Sequence, residues 1–333
     1  GFSDGSGWND GRFDDPTDPR YGFRREVDDC SGAAILLPRA LFERLGRFDT
    51  RYTPAYYEDT DLAFAVRAAD LKVYVEPAAT VVHFEGITSG TDTATGTKRY
   101  QVVNRDKFLA KWHEALQRQP APGTPIALAA THRAQARVLI IDATTPMPDH
   151  DSGSLRMVNL MRVLGDLGCQ VSFMAENRLY VERYTEALQQ LGVEVLYAPF
   201  VPDPLRLLRQ RGGEFDLVLL SRHYVAAPLV GLVRLYAPQA RLVFDTVDLH
   251  YLREQRAAEL AGDAALARSA AATRAQELKV IGASDVTLVV SPIERELLAR
   301  DAPGARVEIL SNVHEVHGCK RDFAARSDLV FVG

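Results

Sequence analysis

Hydrophobic and polar positions follow two different schedules along this chain. In the second half, short apolar runs recur at 138–141, 171–174, 193–197, 217–220, 242–244, 286–290 and 307–310. Segments with helical spacing separate most of them. Strands alternating with helices predict an α/β architecture with a parallel, doubly wound, Rossmann-like sheet. Ligands of such sheets sit beyond the carboxyl ends of the strands, so the loops there are the ones to read for chemistry.

The first half is less regular. Residues 1–25 are loop-like and rich in Gly, Asp and Pro. The apolar run 33–37 reads as a buried strand. Pro38 then opens a short helix that runs through Leu45 and ends at Gly46, the expected punctuation for a helix. A helix is predicted over 58–69, with Leu62, Val66 and Ala69 on one face. Short strands are expected at 72–75 and 80–84, and a helix over 98–116 that includes Val102, Phe108 and Trp112. Residues 117–136 hold three prolines and six alanines with little periodicity, and read as a linker. The predicted division is therefore 1–116, a linker, 137–326, and the opening of a further unit at 327–333.

Composition narrows the function classes. A chain of 333 residues holds about two domains at roughly 100–200 residues each. With 47% apolar residues there is material for two cores. A net charge of −5 and the lack of a long Lys/Arg run argue against a nucleic-acid partner. Cys30, Cys169 and Cys319 are widely spaced and match no metal-ligand pattern, which suits free thiols in a reducing compartment. No apolar run approaches the ~18 residues that span a bilayer, and no signal peptide is visible. The chain opens at Gly1 in a loop and closes on an apolar strand followed by Gly333, as expected of an internal piece of a longer protein.

The richest chemistry in the first half lies in Tyr56-Tyr57-Glu58-Asp59-Thr60-Asp61-Leu62, three carboxylates at a helix start beside two aromatic rings. A sugar hydroxyl is a poor nucleophile until a base removes its proton, and a carboxylate at a helix start is fixed and kept ionised by the dipole. Asp59 or Glu58 could be that base; the same three groups could equally cap and solvate a helix. His83, 24 residues beyond Asp59, could be a divalent-metal ligand or a satisfied histidine near a strand end.

Four segments in order share one likeness: Val27-Asp28-Asp29-Cys30-Ser31-Gly32-Ala33, Leu45-Gly46-Arg47-Phe48-Asp49, Tyr57-Glu58-Asp59-Thr60-Asp61-Leu62 and Val82-His83-Phe84-Glu85-Gly86. Together, over roughly residues 1–113, they resemble the C-terminal part of an inverting GT-A glycosyltransferase of family 2. The resemblance implies Asp59 as general base with Glu58 as its neighbour. It also implies His83 as a ligand to a Mg²⁺ or Mn²⁺ that bridges the donor diphosphate. Ser31, Gly32 and Ala33 would line the sugar pocket, with Tyr56, Tyr57 and Asp61 also on the substrate side. The nucleotide-binding half of such an enzyme would precede Gly1, so the isolated 333 residues are expected to transfer no sugar.

Two loops of the second half also stand out. Asp151-Ser152-Gly153-Ser154 feeds a helix with Leu155, Val158, Met161 and Leu164 on one face, where free backbone N–H groups could meet an anion. A plain connection capped by Ser152 or Ser154 is the alternative. Asp245-Thr246-Val247-Asp248-Leu249-His250 places carboxylates and an imidazole at a strand's carboxyl end, with Asp248 as a helix cap as the plainer reading. No Gly-x-Gly-x-x-Gly fingerprint is present. These loops, with Val290-Ser291-Pro292-Ile293-Glu294 and Leu310-Ser311-Asn312-Val313-His314, are similar to the N-terminal domain of family-4 GT-B glycosyltransferases. That likeness implies that Gly153 and Ser154 face the donor diphosphate and that Asp248 and His250 face an interdomain cleft.

Two such modules in one chain resemble bacterial proteins that assemble O-antigen or other surface polysaccharides. The implied partners are nucleotide-sugar donors and a glycan or lipid-linked glycan acceptor. The implied location is the cytoplasm, with room for peripheral association at the inner face of the membrane. A non-catalytic glycan-binding scaffold is the alternative of a different class. A nucleotide-sugar oxidoreductase is weakened by the missing glycine fingerprint.

Overall fold

The computed structural model describes residues 1–83, 96–316, 318–319 and 321–327. Phe84, Glu85 and Gly86 of the last family-2-like segment, and Asp328–Gly333, lie outside them.

In the first half a two-residue strand β1 (Arg25–Glu26) pairs antiparallel with β2 (Tyr74–Val75). Between them lie α1 (Arg39–Arg44) and α2 (Glu58–Ala68), and α3 (Arg99–Leu116) follows. Gly46 ends α1 with φ +87°, a left-handed turn that suits a residue without a Cβ. A small core of Tyr52, Phe64, Phe108 and Leu116 joins α2 to α3, with Tyr57, Leu109 and Trp112 packed against it. Val102, expected among the apolar positions of α3, is 59% exposed.

Two expected strands are absent among the described residues. Residues 33–37 form no ladder, and Leu36 is 99% exposed. Residues 80–83 are also outside any strand, with Val81 and Val82 exposed. An apolar run becomes a strand only where a neighbour accepts from its N–H groups and donates to its C=O groups. Among the described residues neither run has one. The expected strand at 72–75 shortens to β2 for the same reason.

The stretch 117–136, read as a linker, contains α4 (Ile126–Ala130) and is packed down. Gln119 is buried, and Arg133 reaches back to Glu26 at 2.9 Å and to the Val27 carbonyl at 3.2 Å.

The second half builds the predicted sheet. Its strands are β3 (Arg137–Asp142), β4 (Gln170–Ala175), β5 (Glu194–Leu196), β6 (Leu217–Ser221), β7 (Arg241–Asp245), β8 (Val286–Val289) and β9 (Val307–Ile309). They lie in the order β5-β4-β3-β6-β7-β8-β9, and every pair is parallel. The connecting helices are α5 (Ser152–Asp166), α6 (Glu182–Gln190), α7 (Pro204–Arg211), α8 (His223–Tyr236), α9 (His250–Ala261), α10 (Ala264–Ala283) and α11 (Pro292–Asp301). This is an α/β, Rossmann-like domain.

Side chains alternate across a strand, so β3 shows how both faces are covered. Leu139 and Ile141 join the core beneath α7 and α8, while Val138 and Ile140 join the core beneath α5 and α6. The strands therefore read as unbroken apolar runs, as sheets buried on both sides do. On α5 the buried residues are Arg156, Met157, Asn159, Leu160 and Met161. Met161 lies on the predicted stripe, Val158 and Leu164 pack partly buried against the same core, and the buried face extends to Arg156, which is held by an ion partner described below.

Strand order reverses between β3 and β6, which opens a crevice at their carboxyl ends. A second close approach lies at the other end of the sheet. A Cβ on Gly212 would sit inside contact distance of the Tyr236 carbonyl, 2.8 Å from its carbon. Gly212→Ala is expected to cost about 1–3 kcal/mol, since backbone must move to admit the methyl group. Urea unfolding of the variant checks this; an unchanged midpoint would contradict it.

Candidate functional site

Two regions gather polar chemistry. The first surrounds the start of α2. Tyr56 and Tyr57 both carry φ of +73°, a conformation side chains rarely adopt. Asn104, fully buried on α3, holds this turn: its Nδ2 donates to the carbonyls of Tyr52 (2.8 Å), Ala55 (2.8 Å) and Tyr56 (3.1 Å). Unusual backbone fixed by a buried clamp is how local strain persists, and here it sets the direction in which α2 begins.

Asp59 then projects toward the loop 31–33. The Gly32 N–H donates to Asp59 Oδ2 at 2.8 Å, and the Thr60 N–H donates to Oδ1 at 2.8 Å. A Cβ on Gly32 would lie 3.2 Å from Oδ2 and 3.3 Å from the Asp59 Cβ, so the approach requires a small residue. Ser31 Oγ accepts from the Ala33 N–H at 3.3 Å and closes the loop, which is exposed.

The neighbouring acids differ. Glu58 is half-buried, and its Oε2 has no hydrogen-bond partner among the described residues. Burial pushes its carboxyl above the usual range, as it does that of Asp29, which accepts from Thr60 Oγ at 3.1 Å.

Asp61 is a correction. Expected on the substrate side, it is 3% exposed and accepts from Tyr52 Oη (3.0 Å), Trp112 Nε1 (2.7 Å) and Lys111 Nζ (2.8 Å). It points to the opposite side of the helix from Asp59 and joins α2 to α3. Tyr57 is shared between roles: its ring packs 5.2 Å from Phe108 and its hydroxyl donates to the Gly5 carbonyl. Tyr56 is half-buried.

His83 is exposed and lies on no strand. Among the described residues no three His, Cys, Asp or Glu side chains are grouped to hold a metal ion. One imidazole does not fit a Mg²⁺ or Mn²⁺ site, and no step below passes through a metal.

The second region is the carboxyl edge of the sheet. α5 is capped by Asp151, not by a serine: the carboxylate accepts from the Ser154 N–H at 2.8 Å and from Ser154 Oγ at 2.6 Å. Gly153 sits on the first turn, where a Cβ would come 3.7 Å from Arg222 Nη2 and 3.7 Å from Val247 Cγ1. Arg222, between β6 and α8, has φ +71°, and its Nε donates to Asp142 Oδ1 at 3.0 Å. Asp142 is buried at the end of β3; burial pushes its carboxyl up and Arg222 opposes that shift. The guanidinium thus stands at the strand-order reversal, facing the first turn of α5.

Beneath it lies a buried ion pair. Arg156 donates to both oxygens of Asp245, at 2.7 and 3.0 Å, and to the Leu310 carbonyl at 3.0 Å. Ser221 Oγ also donates to Asp245, at 3.2 Å.

His250 is also a correction. Expected to face a cleft, it is 5% exposed, its ring centroid 4.9 Å from that of His223. Its Nδ1 lies 3.0 Å from the Asp248 carbonyl. Asp248 does not cap α9; its carboxylate accepts from Arg253 at 2.6 Å. The N–H groups that open α9 go instead to Glu277, which accepts from His250 (3.4 Å) and Tyr251 (3.2 Å).

Burial pushes the Glu277 carboxyl from 4.5 up to about 7. A raised folded-state value means the folded chain holds the proton more tightly than the unfolded chain. The stability from this group is therefore full below about 4.5 and is lost as pH rises through about 7. Glu277→Gln is expected to flatten the fall in melting temperature between about pH 5 and pH 8; an unchanged slope would contradict this.

Asn104, Asp142, Arg222 and His223 were not singled out from sequence. Asp142 and Ser221-Arg222-His223 could have been, because they end the two strands that flank the reversal.

No protein-family model matches the chain, and no curated protein matches it. Among solved structures, sucrose-phosphate synthase from Thermosynechococcus elongatus is similar over 53% of this chain and 48% of that one, at 11% identity and a TM-score of 0.35. The chain spans about half the length of that enzyme.

Proposed function

We propose that this chain is glycosyltransferase machinery: a first module in which Asp59 acts as general base on an acceptor hydroxyl, and a second, Rossmann-like module that contributes to a separate transfer site. The observation that carries this reading is the contact between Asp59 Oδ2 and the Gly32 N–H, 27 residues apart in sequence. It joins two of the motifs on which the family-2 resemblance rests.

The chemistry follows from that arrangement. Two backbone N–H groups fix the Asp59 carboxylate without neutralising it, and each oxygen keeps a lone pair for another donor. An acceptor hydroxyl seated there would pass its proton to Asp59 as its oxygen attacks the anomeric carbon and the nucleoside diphosphate departs. Glu58 Oε2 has no hydrogen-bond partner among the described residues, whereas Asp59 is held against the loop 31–33 and takes the base role in this reading.

In the second module, Arg222, paired with Asp142, faces the Asp151-capped first turn of α5 at the crevice. A donor diphosphate bound there would compete with these two carboxylates for the guanidinium and for the Ser154 N–H. Growth of a surface polysaccharide or O-antigen, with nucleotide-sugar donors, is the setting in which two such modules would serve one product. Among the described residues no helix is long and apolar enough to cross a membrane.

The test is a transfer assay on this chain together with any sequence that flanks it, with a panel of nucleotide sugars and glycan acceptors. Glycosyl transfer from at least one donor is expected. A folded protein that retains glycans but transfers from no donor would favour the scaffold reading instead.

A further inference from the structure

The amino ends of the strands carry a cavity that neither transfer site uses. It has a volume of about 330 Å³ and opens between residues 8–26, α4 and the starts of β3, β4 and β5. That volume falls in the ~300–1,000 Å³ range of small-molecule sites. β3 runs from Arg137 at this cavity to Asp142 at the crevice, so the two lie at opposite ends of the sheet, roughly 16 Å apart along the strand.

Its walls are built rather than incidental. The Tyr21 ring packs on Gly11, where φ is +83° and a Cβ would come 2.9 Å from the ring. The Tyr21 hydroxyl donates to Asp14. Arg25 lies 5.6 Å from the Phe23 ring and donates to Asp10 at 3.3 Å. Trp8, at the mouth, is 61% exposed. On the floor, Glu194 is held by both Nη groups of Arg211 (2.8 and 3.0 Å) and by Ser172 Oγ. Arg211 Nε also donates to Glu214 at 2.9 Å.

The chemistry of the lining selects a ligand class. Five arginines and five carboxylates line the cavity, so their charges cancel and neither an anion nor a cation is favoured. What remains is a dense set of paired donors and acceptors beside aromatic faces. A neutral polyhydroxylated ring matches both features: its hydroxyls donate to carboxylates and accept from guanidinium N–H groups, while its C–H face lies on an aromatic ring. We propose that this cavity binds a neutral glycan segment, through Trp8, Tyr21 and the charge pairs, at a site distinct from both transfer sites.

The inference does not require the transfer reading, because binding is measured without a donor. Neutral di- to tetrasaccharides of glucose, galactose, mannose and rhamnose, and acidic counterparts containing glucuronic acid, are titrated calorimetrically against the protein. Binding of at least one neutral oligosaccharide with a dissociation constant below about 10 mM is expected. Trp8→Ala and Asp14→Asn, each confirmed folded by its melt, should weaken it at least about tenfold. Nucleoside diphosphates should not compete, and acidic counterparts should bind no more tightly.

Three results would overturn the assignment: no neutral oligosaccharide binding at about 10 mM, binding unchanged in both variants, or displacement by a nucleoside diphosphate. Transfer without binding here removes the cavity alone. Binding here without transfer removes the transferase reading and leaves the cavity.

Discussion

Asp59→Asn is expected to lower kcat of the first module by about 10²–10⁴-fold, the usual contribution of a positioned general base. Asparagine nearly preserves the volume and its carbonyl oxygen can still accept the Gly32 N–H, but its amide group loses the bond from the Thr60 N–H, so a thermal melt accompanies the kinetics to confirm the fold. What it loses is the capacity to take a proton. KM for donor and acceptor should therefore change little, the pattern of an interaction made only in the transition state. Glu58→Gln is the informative companion. Glu58 is not held against the loop 31–33 as Asp59 is, so this variant should keep most of the rate. Steady-state kinetics on both variants decides between the neighbours. A large loss in Glu58→Gln with full activity in Asp59→Asn would move the base by one residue.

The largest effect on stability is expected at Arg156→Leu. Arg156 is 2% exposed and Asp245 is fully buried, and the guanidinium satisfies both carboxylate oxygens and the Leu310 carbonyl. Removing it leaves a buried charge without its partner, which costs about 3–5 kcal/mol. For a domain of roughly 200 residues that corresponds to a fall in Tm of about 6–20 °C. The double variant Arg156→Leu with Asp245→Val should recover much of the loss, since the charge is then gone as well. Thermal melts by circular dichroism check both. A loss below about 1 kcal/mol in the single variant would mean the pair contributes no more than a surface bridge.

The sheet was legible because burial on both faces writes each strand as an unbroken apolar run. Residues 138–141 needed no knowledge of neighbours to be read. The run 33–37 looks the same in sequence, yet forms no strand, because pairing depends on a partner that composition does not reveal. The opening of α2 was partly legible. Three carboxylates at a helix start were visible, but their roles depend on rotation about the helix axis. Asp61 turns toward Trp112 and Lys111, while Asp59 turns toward Gly32.

The carboxyl edge was harder. Arg156 reads as a polar interruption of an amphipathic stripe until Asp245, 89 residues away, is placed beside it. Arg222 gains meaning only once strand order puts β6 next to β3. His250 was noticed for its loop, but packing turned it onto His223 and away from solvent.

The central claim is that Asp59 deprotonates an acceptor hydroxyl for direct, single-step displacement at the anomeric carbon. Such a displacement inverts the configuration of that carbon. The most direct measurement is the ¹H NMR coupling of the anomeric proton in the first product formed by the first module from an α-linked nucleotide sugar. A β-linked product is predicted, and an α-linked product would contradict the account.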